Sequence, residues 1–214
     1  MTVTEADDVR IELDTGSTAL LVVDAQNDFC HEDGFFAGAG FDVRPCALAA
    51  ERLAPVVGAA RAQGMSVVWT MSTNESPPVY RLPPARFRLA PGDRPADQFV
   101  PGSWGWQIVD GLKPADAELV VRKPRYDAFL HTPLEEAFRA RGIDTVVIGG
   151  VITNCCVDTS ARSAFMRGFG VLVLEDCVGT FTQERDLHDA ALRNLSLLFA
   201  VVRDSSVLAE AVHG

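Results

Sequence analysis

The sequence predicts an α/β fold: a single doubly wound, mostly parallel six-stranded sheet with helices on both faces. Two observations carry this. Short, continuous apolar runs rich in β-branched residues recur along the chain, and amphipathic stretches separate them. Runs that are apolar throughout suit strands buried on both faces, as in a parallel sheet. Their alternation with helices is the doubly wound pattern.

The strands are expected, in order, at 19–23, 65–69, 118–121, 145–148, 171–174 and 199–202. The first helix is expected over Pro45–Ala62, with Leu48, Leu53, Val56 and Val57 inward and Arg52, Arg61 and Gln63 in solvent. A second begins at Thr132-Pro-Leu-Glu-Glu, with Thr132 as N-cap, Pro133 at N1 and Glu135 at N3, and stops at Gly142. Residues Cys156–Met166 and Glu184–Leu197 complete the set. The stretch from about 73 to 103 breaks the rhythm. It carries Pro77, Pro78, Pro83, Pro84, Pro91, Pro95 and Pro101 and has no period, as expected of a lid or substrate loop.

The 214 residues suit one domain spanning 1–214. A formal net charge of −10 argues against nucleic acid and anionic membrane surfaces as partners, since both are polyanions. No apolar run approaches the roughly 18 residues of a membrane span. The acidic start, MTVTEADDVRIELD, lacks the pattern of a signal peptide. The five irregularly spaced cysteines do not form a secreted disulfide framework. A cytoplasmic location is expected.

In an open parallel sheet, ligands bind outside the carboxyl ends of the strands. That rule selects Asp24 after the first strand, Lys123 just past the third, and Cys156 after the fourth, at the expected start of a helix. A thiol at a helix N-terminus is biased toward thiolate. Gly149-Gly150 would let the backbone turn tightly and present N–H groups to an oxyanion. Asp24 would take the thiol proton and return it to a leaving amine, and Lys123 would hold the carboxylate and lower the thiol pKa. Each residue also has a plain structural use, as a helix cap, a core thiol and a surface charge. A dinucleotide-binding enzyme shares the fold class, but no G-x-G-x-x-G follows the first strand.

Three blocks, Ala19-Leu-Leu-Val-Val-Asp-Ala-Gln-Asn-Asp28, Val121-Arg-Lys-Pro-Arg-Tyr126 and Gly150-Val-Ile-Thr-Asn-Cys-Cys-Val157, resemble the isochorismatase-like cysteine hydrolases. The resemblance runs from about Ser17 to Leu208. It implies a catalytic triad of Asp24, Lys123 and Cys156, the last chosen over Cys155 by the family's G-x-x-T-x-x-C-V pattern. It also implies a cis peptide at Val151–Ile152 and an oxyanion hole from the N–H groups of Ile152 and Cys156.

A retained cysteine implies hydrolysis of an amide, ureido or carbamoyl C–N bond through a thioester-like intermediate, with isochorismatase-type vinyl-ether cleavage as the alternative. Gly102-Ser-Trp104, Lys123-Pro-Arg-Tyr126 and Thr132-Pro-Leu134 match the branch acting on ureido and carbamoyl compounds. The family's metal-holding branch carries an Asp-x-His pair after the second strand. Here that stretch reads Thr70-Met-Ser-Thr-Asn74, and His31, His131, His188 and His213 fit no ligand spacing, so no metal or other cofactor is expected. Members commonly form homo-oligomers, so a dimer or tetramer is expected.

Candidate substrate-binding residues are Asn27, Phe29, Trp104, Tyr126, Phe129 and Cys155, with Arg81, Arg86, Arg88 or Arg94 as a clamp for a substrate carboxylate. A catalytically silent binding module is the competing class. The intact Asp24, Lys123 and Cys156 speak against it.

Overall fold

Each predicted strand is present, and all pairings between neighbours are parallel. The computed structural model describes residues 13–75 and 98–208. Along the chain the elements are β1 (Thr18–Val23), α1 (Asn27–Cys30), α2 (Phe35–Gly38), α3 (Arg44–Ala62), β2 (Ser66–Ser72) and β3 (Leu119–Lys123). There follow α4 (Leu134–Ala140), β4 (Thr145–Val151), a π-helical turn (Thr153–Val157) and α5 (Asp158–Met166). The chain continues through β5 (Gly170–Gly179), a 3₁₀ turn (Thr182–Glu184), α6 (Arg185–Leu198) and β6 (Val201–Arg203).

The six strands lie in the order β3-β2-β1-β4-β5-β6. The order reverses between β1 and β4, and a crevice opens at such a switch point beyond the carboxyl ends of the strands.

Both faces of the sheet are covered because the strand residues alternate. From β1, Leu20 and Val22 enter the core beneath α3, while Ala19, Leu21 and Val23 enter the core beneath α4, α5 and α6. Leu20 and Leu21 are fully buried, and each such side chain contributes about 1.5–3 kcal/mol.

Several boundaries moved. β2 runs on to Ser72, so Thr70 and Ser72 belong to a strand. Lys123 is the last residue of β3 rather than just past it. β4 takes in Gly149 and Gly150, which serve close approach within the sheet instead of a turn. Gly150 has φ +123, and a Cβ there would lie 2.0 Å from the Val23 carbonyl oxygen. Gly150→Ala is therefore expected to cost about 3 kcal/mol or more, readable as a lowered urea midpoint or loss of folded protein.

Leu48 is 44% exposed instead of buried, because it faces a concavity beside β5. Pro133, not Thr132, occupies the N-cap position of α4; the Thr132 hydroxyl accepts from the Leu134 N–H at 3.4 Å. Of the expected loop at 73–103, residues 76–97 lie outside the described residues, and with them Arg81, Arg86, Arg88 and Arg94.

Candidate active site

Asp24 follows the last residue of β1, with φ 49, in the left-handed region that Asp tolerates better than most side chains. Its carboxylate is fully buried and bound on every side. The Thr70 hydroxyl donates to Oδ1 at 2.7 Å and the Ser72 hydroxyl donates to Oδ2 at 3.0 Å. Lys123 Nζ stands 2.6 Å from the same Oδ2, in an ion pair without solvent exposure.

The parallel register explains this meeting. Val23 pairs with Thr70 and Ser72 pairs with Lys123, so the ends of β1, β2 and β3 lie side by side. The ammonium also donates to Cys156 Sγ at 3.2 Å, the Arg125 carbonyl at 3.2 Å and Ser72 Oγ at 3.4 Å. Lys123 thus bridges the carboxylate and the thiol.

Cys156 reaches this point on the π-helical turn, two residues before α5 begins at Asp158. It does not sit at the start of the α-helix, and its surroundings oppose the expected bias toward thiolate. The hydrogen bond with Cys155 and burial push the thiol well above its ordinary pKa; the charge of Lys123 opposes them and that of Asp24 adds to them. Burial disfavours the Lys123 ammonium, yet the charge of Asp24, that of a Cys156 thiolate and the bonds to both raise its pKa. These directions favour a neutral thiol, with the adjacent carboxylate keeping Lys123 charged. The resting site is a thiol beside a buried ion pair.

The peptide bond between Val151 and Ile152 is cis, and it delivers the chain from β4 into the π-helical turn. Cys155, half-buried, touches both cores and hydrogen-bonds Cys156.

The other candidates divide. Tyr126 and Trp104 are exposed, and Trp104 meets His31 edge-on at 4.9 Å. Asn27 is buried and spends its amide on the Trp104 carbonyl at 2.9 Å. Phe29 is a core residue packed on Phe36 and Phe99, and Phe129 is one packed on Phe138 and Phe169. Both rings are 4% exposed and belong to the two cores.

Sequence reasoning missed Thr70, Ser72 and Gln26. Gln26 is fully buried; it donates to the Ser72 and Trp106 carbonyls at 3.1 and 2.8 Å and accepts from the Ser72 N–H at 2.8 Å. It ties the end of β2 and the 103–107 turn to β1. The available signal was a polar run directly after a buried strand, where each side chain needs partners. Thr70→Val removes one donor from a buried carboxylate oxygen. It is expected to lower stability by about 1–3 kcal/mol in a urea titration, and kcat with it.

A match to the family described as "Isochorismatase domain" covers residues 18–207. The chain belongs to this family. Among similar proteins, the ureidoacrylate amidohydrolase RutB of Methylobacterium radiotolerans is 34% identical over 94% of this chain and 82% of its own length. A protein of the same name from Methylorubrum extorquens is 33% identical over 94% of this chain and 85% of its own length. Among solved structures, an isochorismatase-like hydrolase from Alkaliphilus metalliredigens superposes with TM-score 0.74 at 25% identity, over 94% of this chain and 100% of that one. A cysteine hydrolase from Pseudomonas syringae pv. phaseolicola shares the fold, with TM-score 0.76 at 20% identity over 95% of each chain.

As a member of the isochorismatase-like cysteine hydrolases, the chain is an enzyme of a class acting on C–N bonds of small molecules. Among the described residues, no helix is long and apolar enough to cross a membrane.

Proposed function

We propose that the chain is an amidohydrolase that opens a C–N bond of a small ureido, carbamoyl or amide compound through an acyl-enzyme on Cys156. The observation that carries this reading is the Lys123 ammonium set between Asp24 Oδ2 at 2.6 Å and Cys156 Sγ at 3.2 Å. The likeness to ureidoacrylate amidohydrolases supports the substrate class.

The arrangement limits the cost of thiolate formation for a physical reason. Before proton transfer the buried site holds one carboxylate, one ammonium and a neutral thiol. Afterwards it holds a neutral carboxylic acid, the same ammonium and a thiolate. The net charge stays at zero, so no additional uncompensated charge is taken out of water. Lys123 exchanges one anionic partner for the other without moving far.

Asp24 therefore serves as general base toward Cys156, and the thiolate attacks the carbonyl carbon. The developing oxyanion is received by the N–H groups of Ile152 and Cys156. Asp24 then returns its proton to the leaving nitrogen as the C–N bond breaks. Water next attacks the thioester, releases the acid and restores the thiol. Tyr126, Trp104 and Cys155 offer contacts to substrate, while Asn27, Phe29 and Phe129 hold the surroundings.

The test is ammonia release from ureidoacrylate, biuret, N-carbamoylsarcosine and simple amides, with pyruvate release from isochorismate followed separately. Ammonia from one of the C–N compounds is expected. Pyruvate without ammonia would place the chain in the ether-cleaving branch instead.

A further inference from the structure

The triad contacts the Cys156 thiol through Lys123. The turn that carries it, Thr153–Val157, is π-helical, a wide conformation with weaker internal hydrogen bonding than an α-helix and often found at functional sites. Its backbone is tied to Ile152 O by the N–H groups of Cys155 and Val157, at 3.1 and 3.2 Å. Its first two side chains are held by the segment from the end of β5 to the first turn of α6. His188 Nδ1 and Thr153 Oγ1 lie 2.9 Å apart, and Thr153 is fully buried. Asn154 Nδ2 donates to Glu184 Oε2 at 3.0 Å, and the Thr180 hydroxyl donates to Asn154 Oδ1 at 2.7 Å while standing 3.3 Å from Glu184 Oε2.

We propose that His188 and Glu184 are positioning residues that clamp the π-helical turn and so set the distance from Cys156 Sγ to Lys123. Neither touches the reacting atoms. They act through Thr153 and Asn154, three and two residues before the nucleophile. A misplacement of about 1 Å in a reacting group costs on the order of 10²-fold in rate, so the clamp has a large lever. His188 also lines a concavity of about 300 Å³ between α3, the end of β5 and α6, with Thr180, Arg185, Arg52 and Leu48. That space gives the imidazole a solvent-side approach, so a truncated His188 leaves room for a free imidazole molecule. The inference rests on Cys156 as nucleophile.

The test compares wild type, His188→Ala, His188→Asn and Glu184→Gln. Site-resolved alkylation of Cys156 by iodoacetamide, kcat and KM on a compound the wild type hydrolyses, and thermal melting are read together. His188→Ala is expected to lower both the alkylation rate and kcat by about tenfold or more, with KM within about twofold. His188→Asn, whose amide can replace Nδ1, is expected to regain most of the loss, as is His188→Ala with added imidazole. Glu184→Gln keeps the side-chain size and weakens the bonds to Asn154 and Thr180; it carries the comparison should His188→Ala not fold. Unchanged rates in His188→Ala and Glu184→Gln would overturn the clamp. So would a loss that neither Asn nor imidazole restores, or a change in KM alone. A Cys156 left unlabelled in wild type, together with full turnover by Cys156→Ala, overturns the nucleophile itself and the clamp with it.

Discussion

Replacing Cys156 by Ala is expected to lower kcat by about 10⁴-fold or more, because in the proposed mechanism the sulfur is the bond-forming atom. Cys155 is adjacent in sequence but lies half-buried against both cores, whereas Cys156 is the thiol that receives the Lys123 ammonium. The same change is expected to alter stability by only about 1 kcal/mol, since Lys123 keeps Asp24, Ser72 and the Arg125 carbonyl as acceptors. Ammonia release and a urea titration on the same preparation separate the two effects. A large loss of turnover in a protein of near-native stability is the expected pair.

Lys123→Met is expected to affect both quantities. The side chain is fully buried, and removing it leaves the Asp24 carboxylate buried without a counter-charge. Breaking one side of a buried ion pair costs about 3–5 kcal/mol. Activity is expected to fall with it, since a thiolate at Cys156 would lose the ammonium that contacts it. Adding Asp24→Asn to Lys123→Met is expected to recover part of the stability and none of the activity.

The pH dependence follows from the raised pKa of Lys123. A group whose pKa is higher in the folded than in the unfolded state contributes fully below the unfolded value, here 10.5, and is lost as pH climbs through the folded one. The difference between wild type and the Asp24→Asn/Lys123→Met double variant, measured by urea titration, is therefore expected to stay constant from about pH 6 to 9.

Much of this was legible in the sequence, and the reasons differ from element to element. The strands were legible because burial on both faces demands apolar runs such as Ala19–Val23. Asp24, Lys123 and Cys156 were legible because reactive residues just beyond such runs fall at one edge of a parallel sheet. Thr70 and Ser72 were not. A hydroxyl within a strand is equally at home as a β-former, and only the register with β1 and β3 reveals that it faces a carboxylate. The π-helical turn at Thr153–Val157 was hidden because its composition also suits the first turn of an α-helix. For that reason Cys156 was expected at a helix N-terminus and the thiol at a lowered pKa. Phe29 and Phe129 lie in the two cores, which closeness in sequence to Asp24 or Lys123 could not reveal, since it says nothing about the direction of a ring.

One measurement bears most directly on the covalent role of Cys156: acid-quenching the enzyme during turnover of a C–N substrate, followed by peptide mass mapping. The expected result is the mass of the acyl fragment, lacking its leaving amine, on the peptide containing Cys156 and localised to that residue. The acyl mass on Cys155 or on any other residue, or product formation with no adduct at any quench time, would contradict it.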